Sequence, residues 1–449
     1  MPYNSFRLGG YPTGRRAAVS GGKNRQLVVI SLDGLATADL DALRGLPAFR
    51  RLLRRGALCR RLRGVYPTQT YVLHASALTG VRPARHGILA NTRFQPGREQ
   101  PEWFWYRRAI RVPTLYDRAM AAGLSTASLF WPSAGRSRQR WVLPEILTTA
   151  PGQSLAWRVA SAGSPLFILD MLRLYRTLLR GLNRYHLDNF TTAAAAHLLR
   201  SRRPDLLLVH LLDLDAVRHR EGLQGPAVAR VLKEQDRRLG QMLDASLRSG
   251  SHARTAFVVF GDHAYLDVHT AVNLNTALAR AGYITLDRRG RCRDWEAWAN
   301  TGDGSAHLYL RDRSDRGLRR RVAKCLERLR ADPRHGIDEI YSGQAIRRLG
   351  LGDSIDFVLE ARPGFYFSPC LRPEVSEPAP AEHRACHGYR PDREGYTSLL
   401  VAAGAGIRAG AVLEEMAITD LGPTLAALLG LTLPGAEGRA RAEILAPGG

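Results

Sequence analysis

Residues 27–33 of this 449-residue chain read Leu-Val-Val-Ile-Ser-Leu-Asp, an apolar run that ends in a carboxylate. Residues 257–263 repeat that arrangement as Phe-Val-Val-Phe-Gly-Asp-His. Apolar runs of this length indicate buried strands with polar residues at their ends. Because such strands alternate with amphipathic helical patterns, we predict an α/β fold with a mostly parallel central sheet. Ligands are expected to bind in loops at the carboxyl ends of the strands.

The helical patterns fall in four places: residues 39–55, 226–247, 316–329 and 418–429. With 45% hydrophobic residues, the chain is long enough to bury an extensive core. No internal repeat or long low-complexity linker divides it. We therefore predict a single catalytic domain over residues 26–445, preceded by a flexible N-terminal segment, residues 1–25.

Two segments depart from the alternating pattern. Segment 150–186 places apolar side chains among arginines, and we interpret it as a lid, a partner-facing helix or a surface helix packed on the core. Segment 286–300 is polar, which predicts a surface loop or an edge hairpin.

Seven residues carry the carboxylate, imidazole and hydroxyl groups that two neighbouring zinc ions and a nucleophile require: Asp33, Thr70, Asp215, His219, Asp262, His263 and His387. Zinc accepts this mixture of oxygen and nitrogen ligands. Two ions about 3.5–4 Å apart can hold the attacking and leaving oxygens of an in-line displacement. Asp215 and His219 stand four residues apart, so on one helical turn both can converge on a single ion. Asp213 is a rival to Asp215, but it has no histidine at that offset.

Thr70 is the candidate nucleophile. A threonine hydroxyl is a weak nucleophile and needs a base or a metal ion to activate it. The segment around Thr70 contains no obvious dedicated base, so activation by a metal ion is the simpler interpretation. The expected chemistry is metal-dependent phosphoryl transfer.

The stretch YPTQTYVLHASALTGVRPARHGILAN, residues 66–91, resembles the nucleophile segment of the nucleotide pyrophosphatase/phosphodiesterase family, in the alkaline phosphatase superfamily. Further motifs follow in the family's order to about residue 433: FWPSAG, DLDAVRHREGLQGP, FGDHAY, GSAHLYL and CHGYRPDREGYTSLLVAAG. The resemblance implies an alkaline-phosphatase-like three-layer fold with a two-metal site at the strand carboxyl ends. It also implies hydrolysis of phosphodiester or pyrophosphate bonds in nucleotide-type substrates through a covalent phosphothreonine intermediate.

The resemblance also implies a role for each site residue. One zinc ion is expected to bind Asp33, Thr70, Asp262 and His263, and the other Asp215, His219 and His387, with other divalent metals possible. Asn91 is expected to donate a hydrogen bond to a phosphoryl oxygen in the transition state, assisted by a backbone N–H near Thr70. Tyr71 occupies the position of an aromatic residue that stacks on a nucleobase in related bacterial enzymes.

Neighbouring polar residues are interpreted as structural. We expect His74 and His86 to be satisfied histidines of the core and Cys386 to pack as a small apolar residue. The hydroxyl of Thr68 is expected to make a local bond to the backbone.

Other functions remain open. A phosphonoacetate-hydrolase-like enzyme, which cleaves a C–P bond, shares the threonine but is expected to hold its substrate with lysines, and no lysine lies between Lys23 and Lys233. A sulfatase needs a Cys/Ser-x-Pro-x-Arg motif, which is missing around Thr70. A catalytically silent binding protein on the same scaffold is the alternative from a different class, although every ligand position is filled.

The formal net charge of +24 comes almost entirely from arginines that are spread along the chain without one dense basic run. We therefore expect a small-molecule phosphodiester or nucleotide substrate and no specific nucleic-acid binding; a positive field can still concentrate anionic esters. No signal-peptide or membrane-span pattern is apparent, and the five cysteines form no disulfide framework. These features favour a cytoplasmic location, and they leave the oligomeric state open.

Overall fold

The computed structural model describes residues 25–179 and 184–447. The predicted N-terminal segment, residues 1–25, lies outside the described residues except for its last member. The strands, in chain order, are β1 (Gln26–Leu32), β2 (Gly56–Arg63), β3 (Thr126–Leu129), β4 (Trp141–Leu143), β5 (Leu206–Leu211), β6 (Thr255–Phe260), β7 (Leu266–Val272), β8 (Ile284–Leu286), β9 (Cys292–Trp295), β10 (Ala297–Gly302), β11 (Ser305–Leu310), β12 (Ile337–Ser342), β13 (Phe357–Ala361), β14 (Gly364–Phe367), β15 (Ser376–Pro378), β16 (Ala385–Cys386), β17 (Ser398–Gly404) and β18 (Val412–Ala417).

The α-helices among the described residues are α1 (Leu40–Gly45), α2 (Pro47–Arg55), α3 (Thr70–Thr79), α4 (Pro83–His86), α5 (Leu115–Ala121), α6 (Leu155–Ala162), α7 (Pro165–Tyr175), α8 (Arg184–His197), α9 (Asp213–Glu221), α10 (Pro226–Arg248), α11 (Leu274–Arg280), α12 (Arg316–Ala331), α13 (Gln344–Arg348) and α14 (Leu421–Leu428). Within the described ranges, none of the helices is long and apolar enough to cross a membrane.

The central sheet has eight strands in the order β18-β2-β17-β6-β1-β5-β3-β4. β1 pairs in parallel with both β5 and β6, and β17 is the single antiparallel strand of this sheet. The predicted mostly parallel sheet is therefore confirmed. Two four-stranded sheets, β10-β11-β13-β12 and β14-β7-β15 with β16 on β7, lie outside it, together with the β8-β9 hairpin.

Helices cover both faces of the central sheet, because alternate side chains of a strand point to opposite faces. Val28 and Ile30 of β1 belong to one apolar cluster, which includes residues of α1, α2, α8 and α10. Leu27 and Val29 belong to another, which includes residues of α3, α5 and α14. The fold therefore has three layers, with the sheet in the middle.

The predicted helices are confirmed, with two differences. Residues 39–55 form two helices and not one, since Leu46 is extended before Pro47, as the residue before a proline prefers. Residues 418–420 form a short 3-10 turn before α14. The predicted loop or hairpin at 286–300 contains part of the β8-β9 hairpin, and its last residues begin β10, which is buried.

The segment 150–186 contains α6 and α7 in its described part, residues 150–179. One face of α7 packs on the core through Phe167, Ile168 and Met171. Its interpretation as a lid or a partner-facing element stays a prediction at this stage.

Candidate active site

Two neighbouring strands carry the first group of candidate ligands. Asp33 follows β1, and Asp262 and His263 follow β6, which pairs with β1 up to the Ser31–Phe260 position. The strand ends therefore lie side by side, as the sequence predicted. Nε2 of His263 lies 3.2 Å from Asp33 Oδ1 and 3.4 Å from Asp262 Oδ2.

Thr70 joins this group from the first residue of α3. Its hydroxyl oxygen lies 3.3 Å from His263 Nε2. A tetrahedral zinc ion with bonds of about 2.0–2.2 Å keeps its ligands roughly 3.3–3.6 Å apart. The distances from His263 Nε2 to the three other donor atoms, 3.2, 3.3 and 3.4 Å, therefore fit one zinc ion.

The second group comes from α9 and from the residue after β16. Asp215 and His219 occupy one turn of α9, with His219 Nε2 3.3 Å from Asp215 Oδ1. His387 Nε2 lies 3.9 Å from the same carboxylate oxygen. Asp213, the rival ligand, instead forms a buried ion pair with Arg238 at 2.6 Å. The i to i+4 spacing thus identified the aspartate that lies with the histidines.

The two groups are contiguous. The rings of His263 and His387 stack with their centroids 3.8 Å apart and their planes 14° from parallel. One donor atom each from Asp215, His263 and His387 falls within 4.8 Å of the others. The two groups therefore form one continuous set of donors.

Backbone carbonyls fix the orientation of both histidines of the second group. Nδ1 of His219 donates to the carbonyl of Ala385 at 2.9 Å, and Nδ1 of His387 donates to that of Thr68 at 3.0 Å. Because Nδ1 carries the proton in each ring, Nε2 is left as a lone-pair donor facing Asp215. Metal-binding histidines ordinarily use this arrangement.

Several donor atoms are buried without a hydrogen-bond partner, among them Asp33 Oδ1, Asp262 Oδ2 and His263 Nδ1. Buried polar atoms are rarely left unpaired in this way, and buried carboxylates need a positive partner. A divalent cation bound between these side chains would satisfy the two carboxylates. The donor set therefore fits the metal group that the sequence predicted.

The pKa values of three of these donors are shifted by burial and by the neighbouring charges. Burial, reinforced by the charge of Asp33, raises the pKa of the Asp262 carboxyl to about 7. Burial and the nearby His263 and His219 lower the pKa of His387 to about 3, against the opposing charges of Asp303 and Asp215, so its imidazole is neutral at ordinary pH. Burial and the charge of Asp215 act to raise the pKa of Asp33, but close contacts with His210 and His263 outweigh them and hold it below its ordinary value.

Asn91 presents an amide to the site. Its side-chain oxygen accepts the backbone N–H of Tyr71 at 2.9 Å, and the backbone N–H of Asn91 donates to the side-chain oxygen of Gln69 at 2.8 Å. Since a backbone N–H can only donate, the oxygen of Asn91 must face Tyr71. Among the described residues, the NH2 group has no acceptor, and Asn91 lines the cavity beside Thr70. The N–H of Tyr71, one candidate for the assisting backbone donor, is thus already engaged.

Tyr71 lies beneath the cavity and does not line it. Its side chain is fully buried and packs edge-to-face on Trp103 at 5.4 Å. The cavity has a volume of about 350 Å³, and its aromatic walls are Trp103, Trp105, Phe130 and Phe367. The aromatic side chains that line the cavity are therefore others, and among these four Phe130 alone lies in a motif marked in the sequence, FWPSAG.

Three further residues contact the predicted ligands. Asp303 Oδ2 lies 3.9 Å from His387 Nε2, the Tyr265 hydroxyl donates to Asp215, and His210 Nε2 lies 3.2 Å from Asp33 Oδ2. Asp303 lies in the turn between β10 and β11, where its backbone is left-handed with φ 57°. Its proximity to His387 arises from the packing of separate sheets, which leaves no mark on the local sequence.

The position of Tyr265 explains why residue 34 is a glycine. Gly34 has φ +77°, and a Cβ atom on it would lie 2.6 Å from the ring of Tyr265. A larger residue at position 34 would displace Tyr265 from Asp215.

The polar residues that the sequence analysis interpreted as structural, His86, His74 and Thr68, differ in their hydrogen bonds. His86 is buried and bonded to Ser76 and to the N–H of Ile88, as expected. His74 is also buried and donates to the carbonyl of Thr70 at 2.7 Å, but its Nε2 has no partner. The Thr68 hydroxyl bonds to the distant carbonyl of Tyr389, so the predicted local bond is wrong.

Cys386 is buried, as predicted, with its sulfur 3.1 Å from the hydroxyl oxygen of Tyr389. All five cysteines are free thiols.

Comparisons with solved structures give the fold class. The murine ectonucleotide pyrophosphatase/phosphodiesterase 5 superposes with a TM-score of 0.67 at 18% identity, covering 94% of this chain and 100% of that one. An inactive threonine-to-alanine variant of that murine protein was solved in complex with AMP. The fold is alkaline-phosphatase-like, an α/β fold built on a large, mostly parallel sheet.

Residues 27–390 match the family described as type I phosphodiesterase / nucleotide pyrophosphatase. The chain belongs to this family of hydrolases. Venom phosphodiesterase 2 of Crotalus adamanteus is 23% identical over 260 residues, covering 57% of this chain and 29% of that protein. Family member 1 of the human ectonucleotide pyrophosphatase/phosphodiesterases is 23% identical over 248 residues, covering 53% and 23%. The chain thus spans less than a third of the length of these curated relatives.

Proposed function

We propose that this protein is a two-zinc hydrolase of phosphodiester or pyrophosphate bonds in nucleotide-type substrates, with Thr70 as nucleophile. The observation that carries the proposal is the position of the Thr70 hydroxyl. It stands at the first residue of α3 and within 3.3 Å of the His263 nitrogen around which Asp33 and Asp262 also gather. The positive end of the helix dipole favours an anionic phosphoryl group at that point.

The first group, Asp33, Thr70, Asp262 and His263, would hold one ion, and the second, Asp215, His219 and His387, would hold the other. Two bound zinc ions supply positive charge that makes a hydroxyl more acidic and offsets charge on phosphoryl oxygens. Thr70 Oγ then gives up its proton to solvent and forms a bond to phosphorus as the bond from phosphorus to the leaving oxygen breaks, and the leaving oxygen departs with the electron pair of that bond. The resulting phosphothreonine still carries the second ester group.

Water completes the cycle by attacking the same phosphorus and releasing the Thr70 hydroxyl. The water oxygen leaves on the product phosphate, and one of its protons returns to threonine. Asn91 contributes through its NH2 group, which lies in the cavity with its orientation fixed by Tyr71. A donor held in place in this way stabilises the negative oxygen that develops in the transition state.

The cavity suits a base or another flat group next to the phosphate. Trp103 is half-buried and lines the cavity together with Phe130, so a planar ring can be held by stacking. The AMP complex of the murine relative supports a nucleotide substrate, and the inactivity of its threonine-to-alanine variant supports a threonine nucleophile. We assign base stacking to Trp103 in place of Tyr71.

The test is a hydrolysis panel on the zinc-loaded protein. Bis-p-nitrophenyl phosphate and pyrophosphate-linked nucleotides should be cleaved with a higher kcat/KM than p-nitrophenyl phosphate, because two ions and one amide balance the single charge of a diester. Chelation should abolish cleavage, and readdition of zinc should restore it. A preference for the monoester or for phosphonoacetate, or full activity after removal of the metal, would reject the proposal.

A further inference from the structure

The exposed apolar side chains of the described residues are concentrated in one segment of the chain. Ten large apolar side chains are exposed, and seven of them lie between residues 147 and 178: Leu147, Trp157, Leu166, Leu169, Leu172, Leu174 and Leu178. Leu166 is 81% exposed and Trp157 is 73% exposed. Single exposed apolar residues are ordinary, but a concentration of this kind marks an interaction surface.

Helix α7 is apolar on two sides. Its inner side carries Phe167, Ile168 and Met171, which are buried in the core. Leu166 and Leu169 stand three residues apart, so they lie together on the outer side. Trp157 adds an exposed indole from the preceding helix, α6. We call the surface formed by Trp157, Leu166 and Leu169 the α6–α7 surface.

The charges beside this surface are mostly positive. Between residues 147 and 179 the chain has three arginines, Arg158, Arg173 and Arg176, and one acidic residue, Asp170. Arg173 follows Leu169 by four residues and shares its side of the helix. Arg173 and Arg176 are exposed and form no ion pair with any described residue. Apolar side chains flanked by unpaired arginines complement an anionic lipid surface.

The geometry fits a helix that lies on a bilayer. At about 1.5 Å per residue, the eleven residues of α7 extend roughly 16 Å, whereas a spanning helix needs about 20 apolar residues. Because its inner side is fixed to the core, only the outer side can contact lipid. Exposed tryptophan and leucine next to arginine are typical of interfacial helices.

The α6–α7 surface is connected to the active site. The guanidinium of Arg158 on α6 lies 4.8 Å from the ring centre of Trp105, which lines the catalytic cavity. Leu147, half exposed, lines the same cavity and is one of the seven clustered apolar side chains. A bilayer in contact with α6 and α7 would therefore lie next to the cavity.

We propose that the α6–α7 surface docks the protein on anionic phospholipid bilayers and brings the catalytic cavity to the lipid–water interface. The apolar side chains enter the interfacial layer, and Arg173 and Arg176 contact the lipid phosphates. The docking requires no hydrolysis, so it stands or falls independently of the proposed activity.

Trp157 provides a direct readout, because of the seven tryptophans it is the exposed one and the other six are buried or half-buried. The full chain is mixed with vesicles of brominated phosphatidylcholine, with and without phosphatidylserine, at about 0.15 M salt, where interactions between distant surface charges are screened. Fluorescence should be quenched with phosphatidylserine present, and Trp157→Phe should remove most of that quenching. Binding by general positive charge would leave Trp157 in water and unquenched.

Matched variants separate apolar insertion from charge. The pair Leu166→Gln and Leu169→Gln keeps the net charge and should lower the vesicle-bound fraction by roughly tenfold or more. Replacing Arg173 and Arg176 with Gln should weaken binding by roughly fivefold per arginine. The control pair is Leu247→Gln with Val412→Gln, which are exposed apolar residues on α10 and β18. It should bind as the wild type does.

All of these side chains are exposed, so the variants should keep the wild-type thermal midpoint. Unquenched Trp157 with every vesicle, or equal binding by the Leu166/Leu169 and control pairs, would overturn the proposal. Sedimentation velocity tests the alternative that a second copy of the chain binds the α6–α7 surface. A wild-type dimer that becomes monomeric only in the Leu166/Leu169 pair would assign the surface to a second copy of the chain and reject the membrane.

Discussion

The Thr70 hydroxyl oxygen lies 3.3 Å from Nε2 of His263, the same nitrogen that lies 3.2 Å from a carboxylate oxygen of Asp33. The hydroxyl of the candidate nucleophile therefore lies among the candidate metal-binding atoms. In this arrangement, a cation that neutralises the buried carboxylates also acts on the hydroxyl. Under the proposed function, a metal ion held by these donors would activate the hydroxyl in place of a dedicated base.

Removing one histidine should separate the two metal positions. His219→Ala should lower the metal content from about two ions per chain to about one, because the donors of the first group do not include His219. The content is measured by elemental analysis after gel filtration.

His269→Ala is the matched control, since His269 is exposed and belongs to neither donor group. Two ions retained in His219→Ala, or a comparable loss in the control, would contradict the assignment.

Asn91 can be tested with two substitutions. Asn91→Ala should lower kcat by roughly 10²–10³, the range for loss of one transition-state donor. Asn91→Asp keeps an oxygen for the N–H of Tyr71 but replaces the NH2 group with a negatively charged oxygen. It should lose at least as much activity, with zinc content unchanged. An aspartate variant close to wild type would show that Asn91 acts only by holding Tyr71.

Glu360 should make stability depend on pH. It is fully buried, its Oε1 accepts from the backbone of Arg390 and the side chain of Arg393, and burial raises its pKa to about 7 from an ordinary 4.5. The folded protein then binds more protons than the unfolded chain between those two pH values, so the stabilising contribution is complete below about pH 4.5 and is lost as the pH rises towards 7.

Glu360→Gln replaces the titrating carboxyl group with an amide that does not titrate. The difference in unfolding free energy between wild type and variant should change across that window with a slope of up to about 1.4 kcal/mol per pH unit. Chemical denaturation at several pH values measures it. A constant difference from pH 4.5 to 7 would show that Glu360 stays ionised beside Arg393.

Local sequence was enough for the parts of the site that depend on local structure. Asp33 and Asp262 could be placed because each ends an apolar strand, and Asp215 could be chosen over Asp213 by its spacing to His219. The sequence predicted the sheet for the same reason, since alternation of strand and helix is a property of consecutive residues.

The remaining features depend on tertiary packing. Tyr71 follows Thr70 directly, yet the rotation of α3 in the core buries the tyrosine beneath Trp103. Asp303 reaches His387 because the β10–β11 turn meets the sheet of β7, β14, β15 and β16, where Asp303 forms a bridge with Phe367 of β14. Neither relation has a period or a motif that can be recognised along the chain.

The central claim is that Thr70 forms the bond to phosphorus, and the most direct test is the turnover of Thr70→Ala at measured zinc content. The remaining donors of the first group, Asp33, Asp262 and His263, should still hold zinc, so the variant should keep about two ions per chain. Its kcat/KM for bis-p-nitrophenyl phosphate should fall by at least roughly 10³, because a methyl group cannot form the covalent intermediate. Turnover within about tenfold of wild type at full zinc content would contradict the account.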